Sequence, residues 1–157
     1  MTLRYKAFAC LLFLTALVIP ACGTSSKSHP NMTSVENVDS EFTFTSKSRT
    51  ARQGLPSDLR SPQDYKFVEV VVVDVVNPKQ HAVRFEVHYR PPNEAAIFLG
   101  TFSLFPADNP GSFIVPTQGK LRSEGELILS LVLPEDVHMS DALRITTKNM
   151  TLRRASE

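Results

Sequence analysis

Residues 83–90 constrain the fold of this chain more than any other segment, because apolar and polar side chains alternate along them without a break. The apolar positions are Val83, Phe85, Val87 and Tyr89, and the polar positions are Arg84, Glu86, His88 and Arg90. Successive side chains of a β-strand point to opposite faces of its sheet. This period of two therefore predicts a strand that buries the apolar set and turns the polar set outward together.

Further short strands are predicted on both sides of this one, with proline and glycine between them. A β-branched run from Phe67 to Val76 stops at the turn signal Asn77-Pro78. The other apolar stretches are residues 97–105, 113–115, 127–133 and 142–147. Short strands at this spacing favour an all-β fold, either an antiparallel β-sandwich or a small barrel, of about six to seven strands.

Two of these strands contain a residue that interrupts the regular pattern. Gly100 lies in the strand that places Phe98, Phe102 and Leu104 on one side, and it predicts a bulge or a close backbone approach. Asp74 interrupts the valine run. It is either a carboxylate at an edge or bulge in contact with water, which we expect, or a buried acid of raised pKa.

The first 21 residues have the pattern of a secretion signal that is removed. Arg4 and Lys6 precede an uncharged apolar run over residues 7–20. That run is too short for a membrane-spanning helix, which needs about 20 residues. A basic start followed by a short apolar run is typical of a secretory signal peptide.

The residues that close this run predict a lipid anchor. Ile19-Pro20-Ala21-Cys22-Gly23 resembles the bacterial lipobox, in which cleavage between Ala21 and Cys22 exposes a cysteine that carries lipid, palmitate among its acyl chains. Removal of Cys10 with the signal would leave one cysteine, and a lipid thioether explains an unpaired thiol in an oxidising compartment. Gly23 in place of Asp resembles the pattern sorted to the periplasmic face of the outer membrane. A plain secretory signal with Cys22 as an ordinary thiol is the alternative.

Composition divides the rest of the chain into a tether and one domain. Residues 22–64 are polar and broken by proline and glycine, so they are predicted to be a flexible tether that begins with the lipidated Cys22. Within them, residues 41–45 alternate like a strand that could dock on the domain edge. Residues 65–157 are predicted to be the β-sandwich domain. Loss of the signal leaves 15 Lys and Arg against 16 Asp and Glu, which excludes a basic nucleic-acid-binding surface.

Residues that could carry chemistry are few. Of the histidines His29, His81, His88 and His138, no two have the close spacing that a zinc site requires. His138-Met139 is a weak copper candidate, because imidazole and thioether both suit copper. No Gly-x-Ser-x-Gly nucleophile elbow is present. The sequence therefore predicts no catalytic residue, no enzyme and no cofactor other than the covalent lipid.

The predicted domain carries two short motifs in succession, Arg84-Phe85-Glu86-Val87-His88 and Phe98-Leu99-Gly100-Thr101-Phe102, with Pro106 a few residues on. They resemble the Lys-Phe-Asp-Val-Tyr and Phe-Ala-Gly-Ser-Phe motifs in the C-terminal β-domain of plant-type polyphenol oxidases, the tyrosinase relatives. A leucine-rich strand that runs into an acidic turn, residues 127–136, is similar too. The resemblance implies a β-module that covers or docks on something, as that domain shields the entrance of a copper domain, and it implies no catalytic residue here.

These observations favour a membrane-anchored lipoprotein of the bacterial cell envelope. Its β-domain is expected to be a non-catalytic module that shields or docks on an envelope protein. The candidate interaction face is the outward set Arg84, Glu86, His88 and Arg90. The alternative is a periplasmic accessory protein that binds a small ligand or copper. Membrane lipid, through Cys22, and an envelope protein are the expected partners.

Overall fold

The computed structural model describes residues 40–56, 58–122, 124–138 and 141–155. The signal segment, Cys22 and residues 22–39 of the predicted tether lie outside them. The described residues form nine strands and one short 3-10 helix, Pro62–Asp64. The strands are β1 Glu41–Thr45, β2 Thr50–Gly54, β3 Tyr65–Val76, β4 Arg84–Arg90, β5 Ile97–Ser103, β6 Gly111–Pro116, β7 Glu126–Val132, β8 Arg144–Lys148 and β9 Thr151–Arg154.

The strands form two antiparallel sheets, which confirms the predicted all-β class. The first sheet has the order β1-β8-β3-β6, and β9 pairs with the beginning of β3. The second has the order β2-β7-β4-β5. The alternation along β4 is confirmed as well, since Val83, Phe85, Val87 and Tyr89 are all buried. Because successive strand residues face opposite ways, their polar neighbours lie on the outer face of the second sheet.

A row of four phenylalanines crosses the core between the sheets. Phe44 of β1 meets Phe85 of β4 edge to face, with ring centroids 5.2 Å apart. Phe85 stacks on Phe102 of β5 at 5.1 Å, and Phe102 stacks on Phe113 of β6 at 4.4 Å. Since β1 and β6 are the two edge strands of the first sheet, the row joins one of its edges to β4 and the other to β5 of the second sheet.

The predicted domain boundary at residue 65 is wrong, because β1 and β2 lie before it and each belongs to a sheet. β1 pairs with β8 along its whole length, and β2 pairs with β7. Phe44 is only 1% exposed. The expected docking of residues 41–45 on the domain edge is thus confirmed, whereas the tether cannot extend to residue 64. The polar residues of β2 concealed its strand character, since an edge strand buries only a few side chains.

Bulges explain the two interrupted strands. The β3–β8 register shifts between Val72 and Asp74, and Asp74 is exposed and pairs with Arg144 at 3.1 Å between Oδ2 and Nη2. This confirms the water-contacting carboxylate. The β4–β5 register shifts beside Gly100, where an added Cβ would lie 2.8 Å from the Val115 side chain. The shift turns Phe98 outward, so its predicted alignment with Phe102 is wrong.

The strands have two ends, and four crossings between the sheets meet at one of them. We call this the distal end: it comprises residues 46–49, 77–83, 104–110 and the described parts of 133–143. Ser40, where the described chain begins, lies at the opposite, proximal end, because Glu41 pairs with Lys148 at the last position of β8. The proximal end also carries residues 91–96, the hairpin between β4 and β5.

We expect residues 38–157 to fold and residues 65–157 to remain unfolded. The shorter fragment lacks β1 and β2, so β8 and β7 each lose a partner strand and Phe85 loses its contact with Phe44. Removing one buried phenylalanine costs about 3–5 kcal/mol, against a total stability of about 5–15 kcal/mol. Circular dichroism with urea titration of both fragments is the measurement, with Phe44→Ala in the longer one as the intermediate case. Cooperative unfolding of residues 65–157 would contradict the assignment of β1 to the core.

Candidate functional site

The predicted interaction face lies on a central strand of the second sheet. β4 is flanked by β7 and β5, so Arg84, Glu86, His88 and Arg90 stand in the middle of an outer face. Arg84 is 52% exposed and lies 3.4 Å from Glu86, measured between Nη2 and Oε1. His88 packs edge to face on Phe98 at 5.3 Å. The four residues are brought together as expected.

Ion pairs neutralise much of this face. Arg90 pairs with Glu126 of the neighbouring strand β7. Arg52 of β2 pairs with the same carboxylate at 3.0 Å. Together with the Arg84–Glu86 contact, these pairs leave a mixed surface that carries no strong field of one sign. Such a face suits a protein contact of modest charge better than steering of a highly charged partner.

Hydrogen bonds fasten the distal loops to one another through a buried asparagine. The Asn77 side-chain amide donates to the carbonyl oxygens of His81, at 2.9 Å, and Ala107, at 3.0 Å. Its Oδ1 accepts from the His81 backbone N–H at 3.1 Å. The loops 77–83 and 104–110 are therefore held together by one side chain, and the turn signal Asn77-Pro78 marked the residue that does it.

Asp141 adds the third distal loop to this network. Its Oδ2 lies 3.0 Å from His81 Nε2 and accepts the backbone N–H of His138 at 3.1 Å, while Lys79 Nζ donates to Oδ1 at 2.5 Å. The carboxylate side chain is only 5% exposed. The hydrogen bond from Lys79, foremost, and those from His138 and His81 hold the pKa of Asp141 below its ordinary value, although burial opposes them.

An apolar recess with an exposed aromatic rim lies beside this network. It has a volume of about 520 Å³ and is lined mainly by apolar side chains, including Val83, Leu104, Leu133 and Pro134. Phe105, also on its lining, is 93% exposed. The Leu104 N–H donates to the Val83 carbonyl at 3.1 Å, which ties the chain before Phe105 to the start of β4. The loop thus presents a large apolar side chain on a fastened base.

Sequence reasoning missed Phe105 and the Asp141–His81 contact for different reasons. Phe105 was placed in a strand, but β5 ends at Ser103 and the chain turns at Pro106. The proline itself was the available signal, because proline has no backbone N–H to donate and so tends to end strand pairing. Asp141 and His81 are 60 residues apart, and no local pattern connects them.

The remaining candidates are not assembled into a metal site among the described residues. His138 is exposed on the distal end, and its neighbour Met139 lies outside the described residues, as do His29, Ala21 and Cys22. Among the described residues, there is no group of three or more His, Cys, Asp or Glu side chains placed to bind a metal ion. The copper alternative therefore stays a prediction that rests on the His138-Met139 sequence.

Comparison with protein-family models, with curated proteins and with solved structures finds no match for this chain. Within the described residues, no helix has the length and apolar character that a membrane crossing requires.

We expect Asp141→Asn to lower the melting temperature at neutral pH and to lose that effect in acid. The pKa of Asp141 is depressed in the folded state, so its contribution to stability is complete above the unfolded-state pKa near 3.8 and is lost as the pH falls through the lower folded pKa. Thermal unfolding from pH 7 to pH 2.5 is the measurement. Glu135→Gln, at an exposed carboxylate of the same loop, is the control. A difference between wild type and Asp141→Asn that persists unchanged below pH 3 would contradict the linkage.

Proposed function

We propose that this chain is a lipid-anchored protein of the bacterial cell envelope whose β-sandwich docks, without catalysis, on an envelope protein through its distal end. The observation that carries the docking site is Phe105, which is 93% exposed on a loop fastened by hydrogen bonds. Covering a phenylalanine of this kind is favourable by about 1.5–3 kcal/mol. Large exposed aromatic side chains on ordered loops are typical anchors of protein interfaces.

The position of Cys22 in the chain limits how far the domain could lie from a membrane. The described chain begins at the proximal end with Ser40, and Cys22 lies 18 residues before it. Those 18 residues span at most about 60 Å when fully extended. A lipid on Cys22 would keep the start of the domain within about 60 Å of the membrane surface. Two or three acyl chains make such attachment stable, whereas one gives only marginal binding.

The resemblance to the polyphenol oxidase C-terminal domain supports a role in covering or docking. In that family the domain packs over another one, and here Arg84-Phe85-Glu86-Val87-His88 forms the central strand β4. Arg84 joins the two candidate surfaces, because it belongs to the outward set of β4 and also lines the distal recess. A partner on the distal end would therefore extend over the beginning of the charged stripe, which is the outward set Arg84, Glu86, His88 and Arg90.

We expect Cys22→Ala to abolish both palmitate labelling and cleavage of the signal segment. The thiol is the acceptor of the lipid, and lipoprotein signal peptidase acts on the lipidated precursor. Metabolic labelling with palmitate and the apparent mass of the product are the two readouts. Cys10→Ala is the matched control and should be labelled and cleaved normally. Normal labelling of Cys22→Ala would refute the lipoprotein assignment.

We expect Phe105→Ser to remove the partner while leaving the domain as stable as the wild type. The side chain is almost fully exposed, so its loss affects a surface contact and changes the melting temperature little. Partner recovery is measured by pull-down from detergent-solubilised membranes, with identification by mass spectrometry. Ile114→Ser removes an exposed apolar side chain from the outer face of the first sheet and should keep the partner.

The same pull-down tests the charged stripe. If Arg90→Gln stays folded and loses the partner while Phe105→Ser retains it, the docking face is the outer surface of β4 and the distal assignment is wrong. If no partner is recovered reproducibly with the wild-type protein, the docking function itself is contradicted.

A further inference from the structure

We propose that the distal recess is a binding site for a small amphipathic carboxylate, an acyl chain whose head group is held at Arg84 and Ser103. This inference goes beyond the proposed docking function, because it assigns a low-molecular-weight ligand to a site on the domain. It rests on the shape of the recess, on the chemistry of its walls and on the placement of one charge at its rim.

The volume and the walls of the recess suit an apolar ligand body. Its volume of about 520 Å³ falls within the range of about 300–1,000 Å³ that is usual for small-ligand sites. Leu104, Leu133 and Pro134 contribute apolar surface, and Phe105 forms an exposed part of the wall. Apolar surface that remains open to water in this way gains stability when an apolar group covers it.

Charge complementarity identifies the head group. Arg84 is the one charged side chain among the described residues that line the recess, and it is 52% exposed. Ser103 stands opposite Arg84 in the β4–β5 register, and both residues line the recess. A guanidinium with a neighbouring hydroxyl offers several donors and a positive charge, which match the two oxygens of a carboxylate. A neutral head group would leave the positive charge of Arg84 without an opposite charge. A cationic head group would be repelled by it.

The contact between Arg84 and Glu86 is too weak to exclude a ligand carboxylate from Arg84. The Nη2–Oε1 distance of 3.4 Å is within the range of an ion pair but long for a charged hydrogen bond, and both side chains are in contact with solvent. Exposed pairs of this kind contribute little, so a ligand carboxylate can share or replace the contact. Glu86 is absent from the recess lining and would act only by competing for Arg84. Removal of its charge should therefore strengthen ligand binding.

Photolabelling of the full chain in lipid nanodiscs tests this site with a defined probe. The probe is dodecanoate that carries a photoreactive diazirine, and the matched uncharged probe is the corresponding dodecanol. We expect the carboxylate probe to label peptides that contain residues 104–105 or 133–134, and unlabelled dodecanoate to suppress this labelling. The alcohol probe should label them about tenfold less, as expected for the loss of a charged hydrogen bond.

Four variants of the same strand sharpen the result. Arg84→Gln should weaken labelling of the recess about tenfold, and Arg84→Lys should retain most of it because the charge is kept. Glu86→Gln should increase labelling. Arg90→Gln, on the same face but outside the recess, should leave labelling unchanged. Thermal unfolding of each variant confirms that these exposed positions do not affect the fold.

The proposal is overturned if the carboxylate probe fails to label the recess, or if labelling is confined to other segments. It is also overturned if the alcohol labels the recess equally well, the result expected when the recess accepts any apolar group such as a protein segment, or if Arg84→Gln has no effect. These outcomes are independent of the protein pull-down, so loss of the ligand site and loss of the docking function can be told apart.

Discussion

The row of phenylalanines from Phe44 through Phe85 and Phe102 to Phe113 is the contact on which the rest of the fold depends. It passes from the first sheet to the second and back, so it holds the two edge strands of the first sheet against β4 and β5 of the second. Each ring pair adds about 0.5–1.5 kcal/mol beyond the area it buries. Because the row begins in β1, residues 41–54 are part of the domain, and the predicted tether cannot extend beyond residue 40.

Rigid sheets allow the distal loops to present a surface. Four crossings between the sheets start from strands held by this core, and the buried side chains of Asn77 and Asp141 then fasten three of the loops to one another. Exposure of an apolar ring such as that of Phe105 to water is unfavourable, but the rigid sheets and fastened loops cannot rearrange to bury it. The proposed docking surface and the proposed ligand site both depend on that arrangement, with Arg84 at the boundary between them.

Sequence reasoning was most reliable where apolar residues recurred with period two. The inward set of β4 and the class of the fold were predicted correctly, because alternation reports directly which side chains are buried. It was weakest at β2, whose Thr-Ala-Arg-Gln-Gly sequence has no apolar alternation, and at Phe98, where a bulge reverses the face. A bulge shifts register by one residue, and such a shift moves every following side chain to the other face.

The sequence by itself determined the all-β class, the buried face of β4 and the water-contacting Asp74, and it predicts lipid attachment at Cys22. Only the tertiary structure decided that residues 41–54 belong to the sandwich, that His81 meets Asp141, and that Phe105 stands exposed beside a recess. The physical reason is the range of the interactions. The alternation of buried and exposed side chains depends on residues that are close in sequence. Strand partners, loop contacts and cavities arise between residues far apart in the chain.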